Sequence, residues 1–201
     1  MQIIRPFQQP YVAKQEDINN DFVPFVVIKG LFSEDDISKI LSHWDTKKTK
    51  EGKVGEESTI EESIRKSRIM FLEPVETDWI YDKLAMACIM VNANKYRFDI
   101  NGFQSKLQLT QYGVGEFYGW HMDSGGGKSS NRKLSITVQL SNPNEYEGGE
   151  LQFLKAKEFT NAPKEQGTAI IFPSYLAHRV QPVEKGTRMS IVGWIAGPPY
   201  R

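Results

Sequence analysis

Cysteine is almost missing from this chain. Cys88 is the only one among 201 residues, which excludes an intrachain disulfide framework and fits a reducing compartment. Its place in the apolar run LAMACIMV predicts a buried thiol rather than a reactive one. Neither sign of charge is in excess: Lys+Arg and Asp+Glu each number 25, for a formal net charge of +0. Composition therefore gives no reason to expect nucleic acid or a membrane surface as a partner. No apolar run approaches the roughly 18 residues that a membrane-spanning helix needs. The stretch MQIIRPFQQPYVAKQED has neither the apolar core nor the cleavage pattern of a signal peptide. Together these absences predict a cytoplasmic protein. Internal repeats and low-complexity tracts are missing too, which excludes solenoids and repeat arrays.

The length suits a single domain over 1–201. A support region of helices and strands is expected over 1–100, with a core unit over about 101–201. FVPFVVIKGLF, β-branched and aromatic, reads as a strand. Ser33 then offers an N-cap to a helix over about 33–44, with Ile37, Ile40, Leu41 and Trp44 at helical spacing. From 45 to 68 the chain is almost entirely polar, and we expect a mobile segment able to act as a lid. SRIMFLEP reads as a short strand. A second helix starts from a Thr77 cap and places Ile80, Leu84, Ala87, Cys88 and Val91 on one face. Beyond Phe98 the pattern changes to short alternating or apolar runs: KLQLTQY, KLSITVQL, ELQFL, TAIIFP, HRVQPV and RMSIVGWI, punctuated by Gly, Pro and Asn. The fold class is thus α+β and mainly β. A sandwich or jelly roll is expected, with the helices on one outer sheet face.

HMDSGGG holds His121 and Asp123 two residues apart. On an extended segment they point to one side and can offer an imidazole and a carboxylate to one ion. His178 follows the strand and turn IIFPSYLA. Two histidines and a carboxylate form the facial triad that suits non-haem Fe(II) and leaves open positions. A histidine near a strand start can equally be structural, and His43, on the first helix with no partner motif, is assigned no ligand role. Arg188 and Ser190 lie two apart in GTRMSIVGW and share a strand face. The guanidinium fork and the hydroxyl could clamp a carboxylate; the alternative is an edge arginine paired with an acidic neighbour. Ser135, Thr137 and Gln139 share a face of the preceding long strand. SGGGKSSNR lacks the spacing of a phosphate-binding loop and reads as a flexible connection.

YGVGEFYGWHMD, RKLSITVQLSNPNEYEGGELQF and GTAIIFPSYLAHRVQPVEKGTRMSIVGWI, in that order over about 105–196, resemble the Fe(II)- and 2-oxoglutarate-dependent dioxygenases of the prolyl 4-hydroxylase-like, PKHD type. The resemblance implies a double-stranded β-helix, jelly-roll or cupin-like, with the N-terminal helices packed on one sheet. It implies His121, Asp123 and His178 as the iron-holding catalytic residues. Arg188 would bind the distal carboxylate of 2-oxoglutarate, helped by Tyr112, Ser190 and Thr137. Trp194, Tyr118 and Trp120 would meet the substrate, although Tyr112 could instead fill the barrel and Trp194 the core. The implied reaction uses O2, with ascorbate as reductant, decarboxylates 2-oxoglutarate to succinate and hydroxylates a peptidyl residue. Proline in a protein or peptide, of the procollagen type, is the favoured target. Hydroxylation of a small molecule or free amino acid, and a non-catalytic jelly-roll binding module, remain as alternatives.

Overall fold

The computed structural model describes residues 23–52, 63–155 and 158–199. In chain order the elements are β1 (Val26–Ile28), α1 (Glu34–Ser42), β2 (Lys50–Glu51), β3 (Arg65–Lys66), β4 (Arg68–Phe71), α2 (Asp78–Val91), β5 (Gly102–Phe103), β6 (Gln108–Tyr112), β7 (Phe117–His121), β8 (Arg132–Gln139), β9 (Tyr146–Gly148), β10 (Leu151–Lys155), β11 (Glu158–Asn161), β12 (Ala169–Pro173), β13 (His178–Val180), β14 (Val183–Gly186) and β15 (Arg188–Ala196). The larger sheet runs β1-β12-β8-β15-β6-β4-β2, with β5 paired to the end of β15, and the smaller runs β11-β10-β13-β7-β3. β9 and β14 form a separate antiparallel pair.

Period-two alternation sorts the larger sheet into two unlike faces. Leu107, Leu109, Leu134, Ile136, Val138, Ile171, Ile191 and Ile195 join one apolar cluster with residues of α1 and α2. The intervening residues, among them Thr110, Tyr112, Ser135, Thr137, Gln139, Arg188 and Ser190, are just as buried but lie on the other face. There Tyr112, Ile170 and Phe172 meet Leu151, Phe153 and Val180 of the smaller sheet in a second cluster. The result is a jelly roll with helices on one outer face and a partly polar interior.

The helices form for local reasons. Ser33 and Asp36 make a reciprocal capping box, with Ser33 Oγ accepting from the Asp36 N–H at 3.2 Å and Asp36 Oδ2 accepting from the Ser33 N–H at 3.1 Å. Glu34, Asp35 and Asp36 set negative charge against the positive helix end. α2 buries Ile80, Leu84, Ala87, Cys88 and Val91, the face read from its spacing. Its N-terminus differs from expectation, because the Thr77 hydroxyl donates back to the Glu73 carbonyl at 2.8 Å instead of capping the helix.

The polar segment 45–68 is a second difference. Its described ends are paired: β2 lies beside β4 and β3 beside β7. Residues 53–62 lie outside the described residues, and with them the centre of the expected lid. Main-chain pairing needs no apolar side chains, so a charged run such as Arg65–Lys66 can be a strand wherever a sheet edge is available. Strands from before residue 100 thus enter both sheets.

Leu84 is fully buried between α2 and the larger sheet. Leu84→Ala should cost about 2–5 kcal/mol in chemical denaturation, whereas Met86→Ala on the exposed side of α2 should stay within about 0.5 kcal/mol of the parent.

Candidate functional site

β7 and β13 are antiparallel neighbours in which His178 pairs with His121 and Val180 with Tyr118. Three steps on β7 therefore oppose two on β13, so β7 carries a bulge with Gly119 and Trp120 facing Arg179. Without the extra residue Tyr118 and His121 would point to opposite faces. With it they stack, ring centroids 3.5 Å apart and planes 13° from parallel. Beyond His121 the strand ends, Met122 turns outward and Asp123 returns inward. The N–H groups of Asp123 and Ser124 both donate to the Ser174 carbonyl at 2.9 Å.

The potential ligand atoms of His121, Asp123 and His178 all lie within 4.8 Å of one another. His121 Nδ1 is 2.8 Å from the Gly119 carbonyl and His178 Nδ1 is 2.9 Å from the Leu176 carbonyl. A carbonyl only accepts, so each Nδ1 carries the proton and each Nε2 presents a lone pair. Those Nε2 atoms face Asp123, at 3.8 Å from Oδ1 for His121 and 3.5 Å from Oδ2 for His178. Burial, reinforced by the adjacent His178, pushes His121 down to about 3. Burial opposes ionisation of Asp123, but the two imidazoles, the Ser135 hydroxyl and Arg132 outweigh it and hold the carboxyl below its ordinary range. Two imidazole Nε2 atoms and one carboxylate, converging within 4.8 Å of one another, fit Fe(II).

Arg188 is only 1% exposed. Among the described residues no acidic side chain pairs with it. Its Nη2 donates to Gln139 Oε1 at 2.9 Å, its Nη1 lies 3.5 Å from Ser190 Oγ and its guanidinium stands 5.5 Å from the Tyr112 ring centroid. Its Nε has no partner. A buried cation without a counter-charge is costly, and here it lines the same cavity as the three converging donors. A carboxylate ligand would supply what is missing, so the edge-arginine alternative does not describe this residue.

Residues 107–196 match the 2OG-Fe(II) oxygenase superfamily. The resemblance read from the sequence holds, and the cofactor set of that family is Fe(II), 2-oxoglutarate and O2. Curated relatives include the PKHD-type hydroxylase of Synechococcus sp. (strain CC9902), 43% identical over 89 residues that cover 44% of this chain and 40% of that protein. Another is the PKHD-type hydroxylase of Idiomarina loihiensis, 35% identical over 101 residues that cover 48% and 46%. The chain thus spans less than half the length of these relatives. Among solved structures, a prolyl hydroxylase from Trichoplax adhaerens, in complex with a hypoxia inducible factor oxygen degradation domain peptide fragment, aligns at TM-score 0.75 and 16% identity over 87% of this chain and 84% of its own. A Pseudomonas putida prolyl-4-hydroxylase aligns at TM-score 0.70 and 18% identity over 87% and 93%. At these identities the likeness to the solved structures is one of fold.

Within the region that matches this superfamily and beside it, the remaining residues singled out in the sequence fall on different sides. Tyr112, Thr137, Ser190, Tyr118 and Trp194 line the cavity. Trp120 does not: the bulge turns it to the outer face of the smaller sheet, where it is 40% exposed beneath the Arg179 guanidinium at 4.7 Å. Sequence reasoning missed several others. Arg65 reaches the cavity wall from the polar segment, 4.7 Å above Tyr118. Arg132 gives Nη1 to the Asp123 carbonyl at 3.2 Å and lies 4.1 Å over Trp194. Gly149, at φ 63°, lets the chain pass Arg188, whose Cδ a Cβ there would meet at 3.1 Å. The GGEL turn carried that last signal, but nothing in the spacing of Arg65 or Arg132 did.

His121 protonates near 6.5 in an unfolded chain and near 3 here. The unfolded chain therefore binds the extra proton as pH falls below about 6.5, and stability drops in that direction. Metal-free protein should melt at lower temperature at about pH 5 than at about pH 7, and His121→Gln should shrink that difference.

Proposed function

We propose that this protein is an Fe(II)- and 2-oxoglutarate-dependent hydroxylase of a peptidyl residue, with proline the favoured target. The observation that carries this reading is one cavity lined both by the His121, Asp123 and His178 donors and by a buried, uncompensated Arg188. When bound, Fe(II) supplies oxygen activation coupled to decarboxylation of 2-oxoglutarate to succinate. His121, Asp123 and His178, which each offer a ligand atom, would hold the ion, and three protein ligands would leave positions open. Arg188, fixed by Gln139, receives the distal carboxylate, with Ser190, Thr137 and Tyr112 around it. Tyr118 wedges His121 in place by stacking, and the walls formed by Leu151, Val180 and Val192 keep water from the reacting centre.

Support for a chain substrate comes from the rim. Met122 and Tyr175, which adjoin Asp123 and Ser174 in the chain, are 59% and 43% exposed and offer apolar surface beside the site. The Trichoplax adhaerens neighbour holds a peptide fragment, and the curated relatives are PKHD-type hydroxylases. Ascorbate would serve as reductant and the cytoplasm as location; no described helix is long and apolar enough to cross a membrane.

Incubation with Fe(II), ascorbate, 2-oxoglutarate and proline-containing peptides should form succinate together with a peptide mass gain of about 16 Da, one oxygen atom. Succinate without peptide oxidation moves the substrate to a small molecule. No succinate from folded, iron-loaded protein refutes the enzyme reading. Arg188→Met should weaken 2-oxoglutarate binding roughly 100-fold, the loss expected when two charge-assisted hydrogen bonds go.

A further inference from the structure

Among the described residues Asp123 is the one acidic donor of the site, and its two oxygens are treated differently. Ser135 Oγ donates to Asp123 Oδ2 at 2.6 Å. Ser135 Oγ also lies 3.0 Å from Ser174 Oγ. A serine hydroxyl has one proton. Ser135 spends its own on the carboxylate, so Ser174 must be the donor in the second contact. The hydroxyls form a directed chain, Ser174 to Ser135 to Asp123, and both serines are fully buried, away from competing water. Donation into Ser135 polarises its hydroxyl and strengthens the bond it gives.

Ser174 holds the same aspartate a second way, because its carbonyl accepts the N–H groups of Asp123 and Ser124. Its own N–H donates to the Lys133 carbonyl at 3.0 Å, which ties the turn after β12 to β8. Ser135 in turn is fixed in register between Phe172 of β12 and Trp194 of β15. The larger sheet thus reaches across to a residue carried on the loop beyond β7 of the smaller sheet. Asp123 follows the end of its strand and has no ladder partner of its own, so these contacts set where its carboxylate points.

We propose that Ser135 and Ser174 are positioning residues for the metal centre. Ser135, oriented by Ser174, engages Asp123 Oδ2 and turns Oδ1 toward the ion, which favours the open positions that cosubstrate and O2 require. The inference rests on the reading of His121, Asp123 and His178 as the metal-holding set and deepens it.

The test uses Co(II) as a probe, titrated into the full metal-free chain without cosubstrate or substrate, with affinity and the visible ligand-field spectrum as readouts. Thermal melting of the metal-free protein is measured alongside, as a purely structural role would move only that. Ser135→Ala should lower the metal-free melt, because the buried Asp123 carboxylate loses a donor, and should also bind Co(II) about tenfold more weakly or worse and change the ligand-field spectrum. A smaller loss of affinity in folded Ser135→Ala, with an unchanged spectrum, overturns the proposal. Ser174→Ala, which keeps the direct bond to Asp123, should weaken Co(II) binding severalfold and decides the matter if Ser135→Ala does not fold; unchanged affinity in that variant overturns it. Parent protein that binds no Co(II) at this site sinks both this inference and the hydroxylase reading. Parent protein that binds Co(II) and turns over with Fe(II), beside a Ser135→Ala protein that binds as well as the parent, sinks this inference alone.

Discussion

One extra residue in β7 governs the geometry of the site. The pairing of His178 with His121 and of Val180 with Tyr118 absorbs a bulge at Gly119 and Trp120. The cavity wall that the smaller sheet supplies depends on the side to which that bulge sends each ring. It brings His121 against Tyr118, sends Trp120 to the outside, and leaves the Gly119 carbonyl beneath His121 Nδ1. The same glycine receives β3, through a Gly119 N–H to Ile64 carbonyl bond of 2.8 Å, and so connects the polar segment to the site. Bulges of this kind recur where a side chain must be re-aimed, and here the re-aimed group is a metal-type donor.

The larger sheet contributes by contrast through regularity. Strict alternation along β8 and β15 puts Leu134, Ile136, Val138, Ile191 and Ile195 under the helices and turns Ser135, Thr137, Gln139, Arg188 and Ser190 inward. Polar atoms on an inner face are costly unless each finds a partner. Most do, through the chain from Ser174 to Asp123 and through Gln139, whose amide accepts from Arg188 and donates to the Pro163 carbonyl at 3.1 Å. Three buried side-chain atoms among the described residues are left over: Arg188 Nε and Trp194 Nε1, whose residues line the cavity, and Thr168 Oγ1, whose residue does not. Two unmet donors facing one cavity suit a polar ligand there.

How much of this the sequence revealed follows from the same contrast. Regular elements were legible: the buried face of α2 agrees residue for residue, Ser33 caps α1, and the alternation of KLSITVQL identifies the inward face that holds Ser135, Thr137 and Gln139. His121, Asp123, His178 and Arg188 were legible as a set because their chemistry and order restrict one another far more than any spacing does alone. What stayed hidden depends on pairing between distant segments. Nothing local marks the bulge, so Tyr118 and Trp120 read alike although one lines the cavity and the other faces outward. Nothing local makes Lys50–Glu51 or Arg65–Lys66 strands, since their partners lie elsewhere in the chain. Ser174 is a turn residue in a proline-containing run, and its importance appears only when the turn is seen against Asp123.

The two sheets therefore divide the work according to what each can hold still. The smaller sheet carries both histidines, but it is short and interrupted by the bulge. The larger sheet is backed by the apolar layer under α1 and α2, and it holds Arg188 on its own strand, β15. Asp123 falls between them, carried by the smaller sheet yet gripped by Ser135 and Ser174 of the larger. A donor set split across two sheets keeps its spacing only if something crosses the gap, and an apolar contact would not fix the direction of a carboxylate. A hydrogen bond does, because it is directional. Ser135, on a strand position where valine or isoleucine would be favoured, supplies that direction, and Ser174 from the turn after β12 supports it.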